Sequence, residues 1–414
     1  MKYAVITFGC RVNQADSLAI EGQFRARGAV AAPPTEADVV VVNTCSVTAS
    51  ADQGARQTIR RIVRENPAVR LVMTGCYATR EPEDLRALPN VAHLVPNADK
   101  DNLVDLVGDD IGLPTARRFG DGDGPCGALI PGVAGRTAFT LRVQTGCEQT
   151  CSYCIIPATR GAGRSRALDQ VTLDVQRAVE AGYREIAITG VHLGSYGRDL
   201  AEQSSLTDLI RLLARWPGDV LFRISSLEPM DCTPEIVAMA ASSPRIAPHF
   251  HLPLQHGSDE LLRAMRRPYR AADYAGLVEG LHRRIPHASI GSDIIVGFPG
   301  ETDAQFREMC EVLEGLPLTH LHVFPYSDRP GTEASARASK VEGAVIRERG
   351  RQVRDIGERM TRRFRETQAG TVRRGLVVDD GWSAVTDNYV KVRLESQHPR
   401  NTWVQVRLPS HPAT

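Results

Sequence analysis

Three of the nine cysteines in this 414-residue chain, Cys147, Cys151 and Cys154, fall together in the stretch CEQTCSYC. Thiolates at C-x3-C-x2-C spacing can bind three irons of a cubane, whereas closing a four-iron cluster with protein alone takes four cysteines. One iron is left open. An open coordination position marks a metal site built for reaction, since a purely structural site is closed by its protein ligands. A zinc knuckle is the competing use of this spacing, but the first histidine downstream is His192, too remote in sequence to be the expected fourth ligand.

A second set, Cys10 (TFGCRVNQ), Cys45 (NTCSV) and Cys76 (TGCYA), is scattered in sequence. Each follows one of the first three expected strands, residues 2–8, 38–43 (DVVVVN) and 69–74. A parallel sheet would gather all three at its carboxyl edge, where open α/β sheets bind ligands. Taken singly, each cysteine reads as a small buried hydrophobe; as a set in equivalent positions they predict a second three-cysteine cluster. Cys126, Cys232 and Cys310 share no such pattern and are read as non-ligands. The odd cysteine count and the absence of an export signal favour ligands or buried thiols over disulfides.

The elements that must hold these residues follow from periodicity. A helix over Gln14–Arg27, closed by Gly28, and a helical stretch to Glu65 alternate with the strands, which predicts a parallel, Rossmann- or flavodoxin-like α/β domain. The Gly- and Pro-rich passage 121–135 is the expected linker. Alternation then resumes with strands near 139–144, 185–189, 220–225, 249–254, 289–296 and 319–325, so the fold expected here is an incomplete (β/α)6 barrel. Chemistry in barrels sits at the carboxyl ends of strands, here TGVHLGSYG (189–197), SSLEP (225–229), QHGS (255–258), GFPGET (297–302) and FPYS (324–327). From about Thr371 short alternating segments predict a small β-barrel. The expected organisation is 1–115, a linker at 116–135, a barrel with an Arg-rich helix over 136–365, and a β domain over 366–414.

Composition is that of an ordinary soluble protein, 42% hydrophobic and 24% charged, and no apolar run approaches the length of a membrane span. MKYAVITFGC reads as a first strand and not as a secretion signal, so a cytoplasmic location is expected. Net charge is only +1, yet Arg337–Arg374 carries twelve Lys or Arg against five acids. Arg362, Arg363 and Arg365 in that segment, and Arg160, Arg164 and Arg166 behind the cysteine loop, are candidates to grip phosphates or stack on bases.

CEQTCSYC on the first strand of a partial barrel resembles the radical S-adenosylmethionine superfamily. Together with FGCRVNQADS, VVNTCSVT and TGCYA, and with the domain order above, it makes nearly the whole chain similar to the methylthiotransferase family. The resemblance implies two 4Fe-4S clusters, one on Cys10, Cys45 and Cys76 and one on Cys147, Cys151 and Cys154, with S-adenosyl-L-methionine chelated at the open iron of the second. Strand-end position and resemblance together put Thr189, Gly190, Ser225, Glu228, Gln255 and Asp293 on the cofactor. The implied reaction has two halves: one cofactor molecule methylates cluster-bound sulfur, and a second yields the radical that removes hydrogen from an inert C–H bond, which offers no acidic proton to acid–base chemistry. Implied partners are the anticodon loop of a tRNA, a reductant such as flavodoxin or ferredoxin, and a sulfur donor, with no membrane.

Within the family, CIIPATRGAGRSR (154–166), TGVHLGSYG, RISSLEP, SDIIVGFPGET (292–302), LHVFPYSDRPGT (321–332) and TDNYVKV (386–392) resemble the branch that methylthiolates C2 of N6-threonylcarbamoyladenosine at position 37 of tRNA. The alternatives are the branches acting on isopentenyladenosine and on a ribosomal protein aspartate. Two departures stand out: QHGS replaces the usual QSGS, and the tail is short for the family's TRAM β-barrel.

Overall fold

The structure is a computed structural model that describes residues 1–113 and 137–409. The expected linker, with Cys126, lies outside the described residues. The first sheet contains β1 (Lys2–Thr7), β2 (Val30–Ala31), β3 (Val39–Thr44), β4 (Arg70–Gly75) and β5 (Val91–Val95), all parallel, in the order β2-β1-β3-β4-β5. That is the flavodoxin-like order, in which the connections reverse direction between β1 and β3 and leave a crevice at their carboxyl ends. β3 is buried along its whole length because both faces of the sheet are covered. Val39 and Val41 pack with Ile20 and Phe24 of helix Arg11–Ala26, while Val40 and Val42 pack with Ile59 and Ile62 of helix Ala49–Glu65. The first helix begins at Arg11, three residues before the expected start, with Cys10 as its N-cap.

The second unit carries β6 (Phe139–Arg142), a short antiparallel ribbon of β7 (Gln144–Thr145) and β8 (Arg164–Ser165), then β9 (Glu185–Thr189), β10 (Leu221–Ile224), β11 (His249–His251), β12 (Ser289–Val296) and β13 (His320–Pro325). β6, β9 and β10 pair in parallel, as do β11, β12 and β13, and single parallel bridges at Phe222–Ile246 and Ser226–His251 continue the curve between the two groups. The result is the expected six-stranded partial barrel. Ile186, Ile188, Phe222, Ile224, Ile290 and Ile294 pack against the surrounding helices in one core. Two of those helices are fixed at their starts by capping boxes, Ser205 with Asp208 and Thr302 with Gln305.

Helix Gly343–Gln368 buries Val353, Ile356 and Met360 against the barrel and leaves most of its arginines outward. The chain then forms β14 (Val372–Val378), β15 (Ser383–Thr386), β16 (Lys391–Arg393) and β17 (Trp403–Arg407), an antiparallel sheet in the order β16-β15-β14-β17 around a core of Val377, Ala384, Val392 and Val406. Among the described residues the outer strands β16 and β17 do not pair with each other, so this part is an open sheet.

Candidate active site

β1, β3 and β4 each deliver one cysteine to the same crevice. Cys10 caps the helix after β1, Cys45 follows β3, and Cys76 opens the turn after β4. Gly75 lies at φ +96, and a Cβ there would stand 2.2 Å from the Thr44 carbonyl oxygen, so only glycine lets β4 turn beside Cys45. Burial pushes the Cys45 thiol up to about 11, and the charges of Cys10 and Cys76 act in the same direction. Cys45 is thus within electrostatic reach of both Cys10 and Cys76. Asn97 Nδ2 donates to Cys76 Sγ (3.5 Å) and to the Thr159 carbonyl oxygen (2.9 Å), tying this site to the barrel.

Behind the trio lies a buried charge network that spans both units. Asp16, with a fully buried side chain, accepts from Lys100 (3.0 Å), Arg142 (2.5 Å) and Arg160 (3.1 Å), and Asp101 accepts from Arg142 (2.7 Å). Burial alone would raise the Asp16 carboxyl, but the three cations outweigh it and hold the group well below the usual carboxylate range. Three cations face two carboxylates, and Arg160 senses Cys76 and Cys10 while Lys100 senses Cys76. Arg160 was expected at the RNA; instead it is buried at the edge of the cavity described below, donating to Asn13 Oδ1 (2.5 Å) and Thr145 Oγ1 (3.0 Å) as well as to Asp16.

The second trio hangs from the β7–β8 ribbon. Gly146, at φ +76, turns the chain where a Cβ would lie 1.8 Å from the Ala162 carbonyl oxygen. Cys147 N donates to Gly161 O (3.0 Å) and Cys154 N to Cys151 O (3.1 Å), closing the loop on itself. Burial raises the Cys154 thiol to about 12 and the Cys151 thiol as well, with the neighbouring sulfurs adding to the effect on both. Arg267 Nη1 reaches Cys151 Sγ (3.2 Å), and Gln149 N reaches Cys147 Sγ (3.4 Å). Converging thiols with N–H donors aimed at sulfur fit a cluster whose ligands carry negative charge. His192 is ion-paired with Asp231 (2.9 Å); burial lowers its pKa, but Asp231 and Cys147 outweigh that and raise it to about 9.

A cavity of about 550 Å³ is lined by Cys10 on one side and by the carboxyl ends of the barrel strands on the other. Of the six strand-end residues expected at the cofactor, Thr189, Gly190, Ser225 and Asp293 line it. Glu228 and Gln255 do not. Glu228 pairs with Arg267 and so reaches Cys151 only through that guanidinium. Gln255, at φ +71, bonds through its backbone to Asp293 O and Ile295 N, both at 2.8 Å, extending the sheet. In the departing QHGS loop His256 is fully buried and accepts from Ser258 N (3.0 Å); burial, then Arg349, push its pKa down to about 3. That ring stabilises its own loop and does not line the cavity. Cys232 and Cys310 pack in the barrel core, apart from both trios.

Four histidines in the cavity escaped the sequence reading. His249 and His251 of β11 and His320 and His322 of β13 lie to either side of Asp293 on β12. The signal was the alternation in HFH and HLH, which puts the paired rings on one face. Asp293 Oδ1 lies 2.9 Å from His251 Nε2 and 3.3 Å from His322 Nδ1, and although burial raises its pKa the two imidazoles bring it down to about 2. Burial, aided by the neighbouring rings, pushes His320 down to about 4, so that ring is neutral at physiological pH.

The other arginines divide. Arg164 is exposed on β8, whereas Arg166 is ion-paired with Asp174. Arg362, Arg363 and Arg365 are exposed on the long helix; Arg362 and Arg365 line a groove with Arg354, and Arg363 donates to Leu316 O (3.1 Å).

Residues 2–96 match the model of an uncharacterized protein family, UPF0004, and residues 141–313 match the Radical SAM superfamily. The chain is 34% identical to the threonylcarbamoyladenosine tRNA methylthiotransferase MtaB of Aquifex aeolicus, over 99% of this chain and 100% of that one. It is 33% identical to the protein of that name in Bacillus subtilis, over 93% and 88%. The tRNA-2-methylthio-N(6)-dimethylallyladenosine synthase of Thermobifida fusca is 32% identical over 87% and 74%. Among solved structures, the radical S-adenosylmethionine methyltransferase TsrM of Kitasatospora setae shares the fold, with a TM-score of 0.56 and 16% identity over 81% of this chain and 73% of that one. The Radical SAM match, with relatives 34% and 33% identical over nearly all of the chain, shows that the chain belongs to the radical S-adenosylmethionine tRNA methylthiotransferase family.

Proposed function

We propose that this enzyme transfers a methylthio group to C2 of N6-threonylcarbamoyladenosine at position 37 of tRNA. The observation that carries the reading is the shared cavity, with Cys10 at one wall and the barrel strand ends at the other; the substrate follows the names of the relatives that match most of this chain. Cys10, Cys45 and Cys76 would hold one 4Fe-4S cluster and Cys147, Cys151 and Cys154 the other. When bound, the clusters and S-adenosylmethionine supply the electron, the radical and the sulfur site that protein side chains lack.

The chain's own residues prepare the place. Arg160 and Lys100 bring positive charge to Cys10 and Cys76, Arg267 and the Gln149 N–H orient the sulfurs of the barrel trio, and Thr189, Gly190, Ser225 and Asp293 shape the cavity for the cofactor. Asp293 stays ionised at neutral pH and accepts from cationic or hydroxyl groups. The C-terminal sheet would serve as a shortened TRAM-like unit that helps hold the anticodon loop. A reductant protein such as flavodoxin or ferredoxin and a sulfur donor complete the cycle. No helix among the described residues is long and apolar enough to cross a membrane, in keeping with a cytoplasmic site of action.

The deciding experiment is expression in a host without methylthiotransferases, followed by mass spectrometry of tRNA nucleosides, with Cys147→Ala as control. Methylthio-threonylcarbamoyladenosine that disappears in the control supports the proposal. The isopentenyl product instead would reassign the substrate, and no change in tRNA would redirect the search to the ribosomal protein.

The exposed arginines give a second test. Replacing Arg362, Arg363 and Arg365 with Gln together should weaken tRNA binding and flatten the slope of log affinity against log salt by about 2 to 3, since each phosphate contact contributes slightly under one unit. An unchanged slope in a binding titration would move the RNA surface elsewhere.

A further inference from the structure

The formal charges of the cavity are matched except at one side chain. Arg160 is paired with Asp16, Asp293 faces His251 and His322, and burial holds His249 and His320 uncharged. Arg11, next after Cys10, is half-buried in the cavity wall, and among the described residues no carboxylate pairs with it. Its guanidinium reaches across to the barrel and to the C-terminal sheet: Nη1 stands 3.5 Å from Ser225 Oγ and Nη2 donates to Tyr389 Oη at 3.2 Å.

The phenol is held there by force. Tyr389 occupies the β15–β16 turn at φ +68, a left-handed conformation that ring-bearing residues rarely adopt. Thr386 O accepts from its backbone N–H (2.9 Å), and the His249 ring lies 4.5 Å from the phenol ring. The Arg223 guanidinium stacks 5.0 Å from the phenol ring while bound to Glu185. A strained residue that its surroundings over-determine is a place to look for function.

We propose that Arg11, with Tyr389 and Ser225, forms a carboxylate subsite that receives the threonyl carboxylate of the substrate base and thereby selects it over bases with a neutral N6 substituent. The proposal rests on the substrate reading above. Arg11 is suited to the task because its planar fork matches a carboxylate and keeps its charge at any physiological pH. Tyr389 fixes one arm of the fork, so the other N–H groups are left for the ligand. Placing the anchor one residue from Cys10 also puts the substituent, and so the base that bears it, beside the N-terminal trio.

The test uses the full, iron-reconstituted chain and four anticodon stem-loops that carry, at position 37, adenosine, threonylcarbamoyladenosine, its methyl ester or isopentenyladenosine. Wild type should bind the threonylcarbamoyl loop about tenfold or more tighter than its ester, the effect expected of a charge-assisted contact. Arg11→Gln should lose that tenfold on the acid loop alone, Arg11→Lys should regain part of it, and Tyr389→Phe should lose a smaller share, with iron content reporting an intact fold. Equal losses on all four loops would assign Arg11 to a phosphate and overturn the proposal, as would no loss on any. Wild type that binds ester and acid alike overturns it even if no variant folds. Preference of wild type for the isopentenyl loop would overturn the substrate reading itself, and that result needs no variant.

Discussion

Cys147→Ala and Cys45→Ala should each halve the iron of the reconstituted enzyme, from about eight to about four atoms per chain, yet stop the reaction at different points. The first variant is expected to make no 5′-deoxyadenosine. The second should still cleave the cofactor while forming no methylthio product. The reason is structural: Cys45 leaves β3 of the N-terminal sheet, whereas Cys147 sits on the β7–β8 ribbon of the barrel, and neither trio borrows a cysteine from the other among the described residues. Iron assay, chromatography of the cleaved cofactor and mass spectrometry of tRNA nucleosides read the three quantities separately. If either single substitution emptied both sites, the idea of two independent clusters would fall.

Asp16→Asn should cost about 3–5 kcal/mol of stability, the range for breaking a buried ion pair from one side. Lys100, Arg142 and Arg160 would remain in place with no buried charge to offset them beyond Asp101, which is largely exposed. The pH dependence has a definite sign. The Asp16 carboxyl is held below its ordinary value in the folded state, so its contribution is complete above the unfolded carboxylate range, near pH 4, and is lost as pH falls toward the folded value. Burial pulls Lys100 the opposite way, toward losing its proton, while Asp16 draws it back. Urea unfolding of wild type and variant from pH 8 downward should show a steady gap that closes only in acid below about pH 4. A gap below about 1 kcal/mol at pH 7 would mean that the network is hydrated and contributes little.

Much of this was legible in the sequence for identifiable reasons. The valine run of β3 could only be a strand covered on both faces, and strand-then-cysteine at 10, 45 and 76 placed the first trio at one sheet edge before any contact was known. The six barrel strands fell where alternation put them. What escaped is pairing across distance. Nothing local to Arg160 announces that its partner is Asp16, 144 positions earlier, so a buried structural arginine looked like a free one. Glu228 misled in the same way, since its partner Arg267 lies 39 positions on. Gln255 failed for a different reason: its left-handed backbone turns it into a sheet bond, and no residue type other than glycine advertises that conformation. The four histidines were visible in HFH and HLH, but side chains alternating on a strand reveal a shared face and not what the face encloses.

The single helical turn Ile156–Arg160 begins two residues after Cys154 and ends in the guanidinium that lies under Cys10 and Cys76. It therefore works as a gauge of fixed length between the two metal sites. One residue added or removed there would swing Arg160 by about 100° and shift it by about 1.5 Å, away from a carboxylate it must meet inside a packed interface. Loops at the rim of the barrel can lengthen or shorten freely; this stretch cannot, and length variation among functional relatives should stop at its two ends.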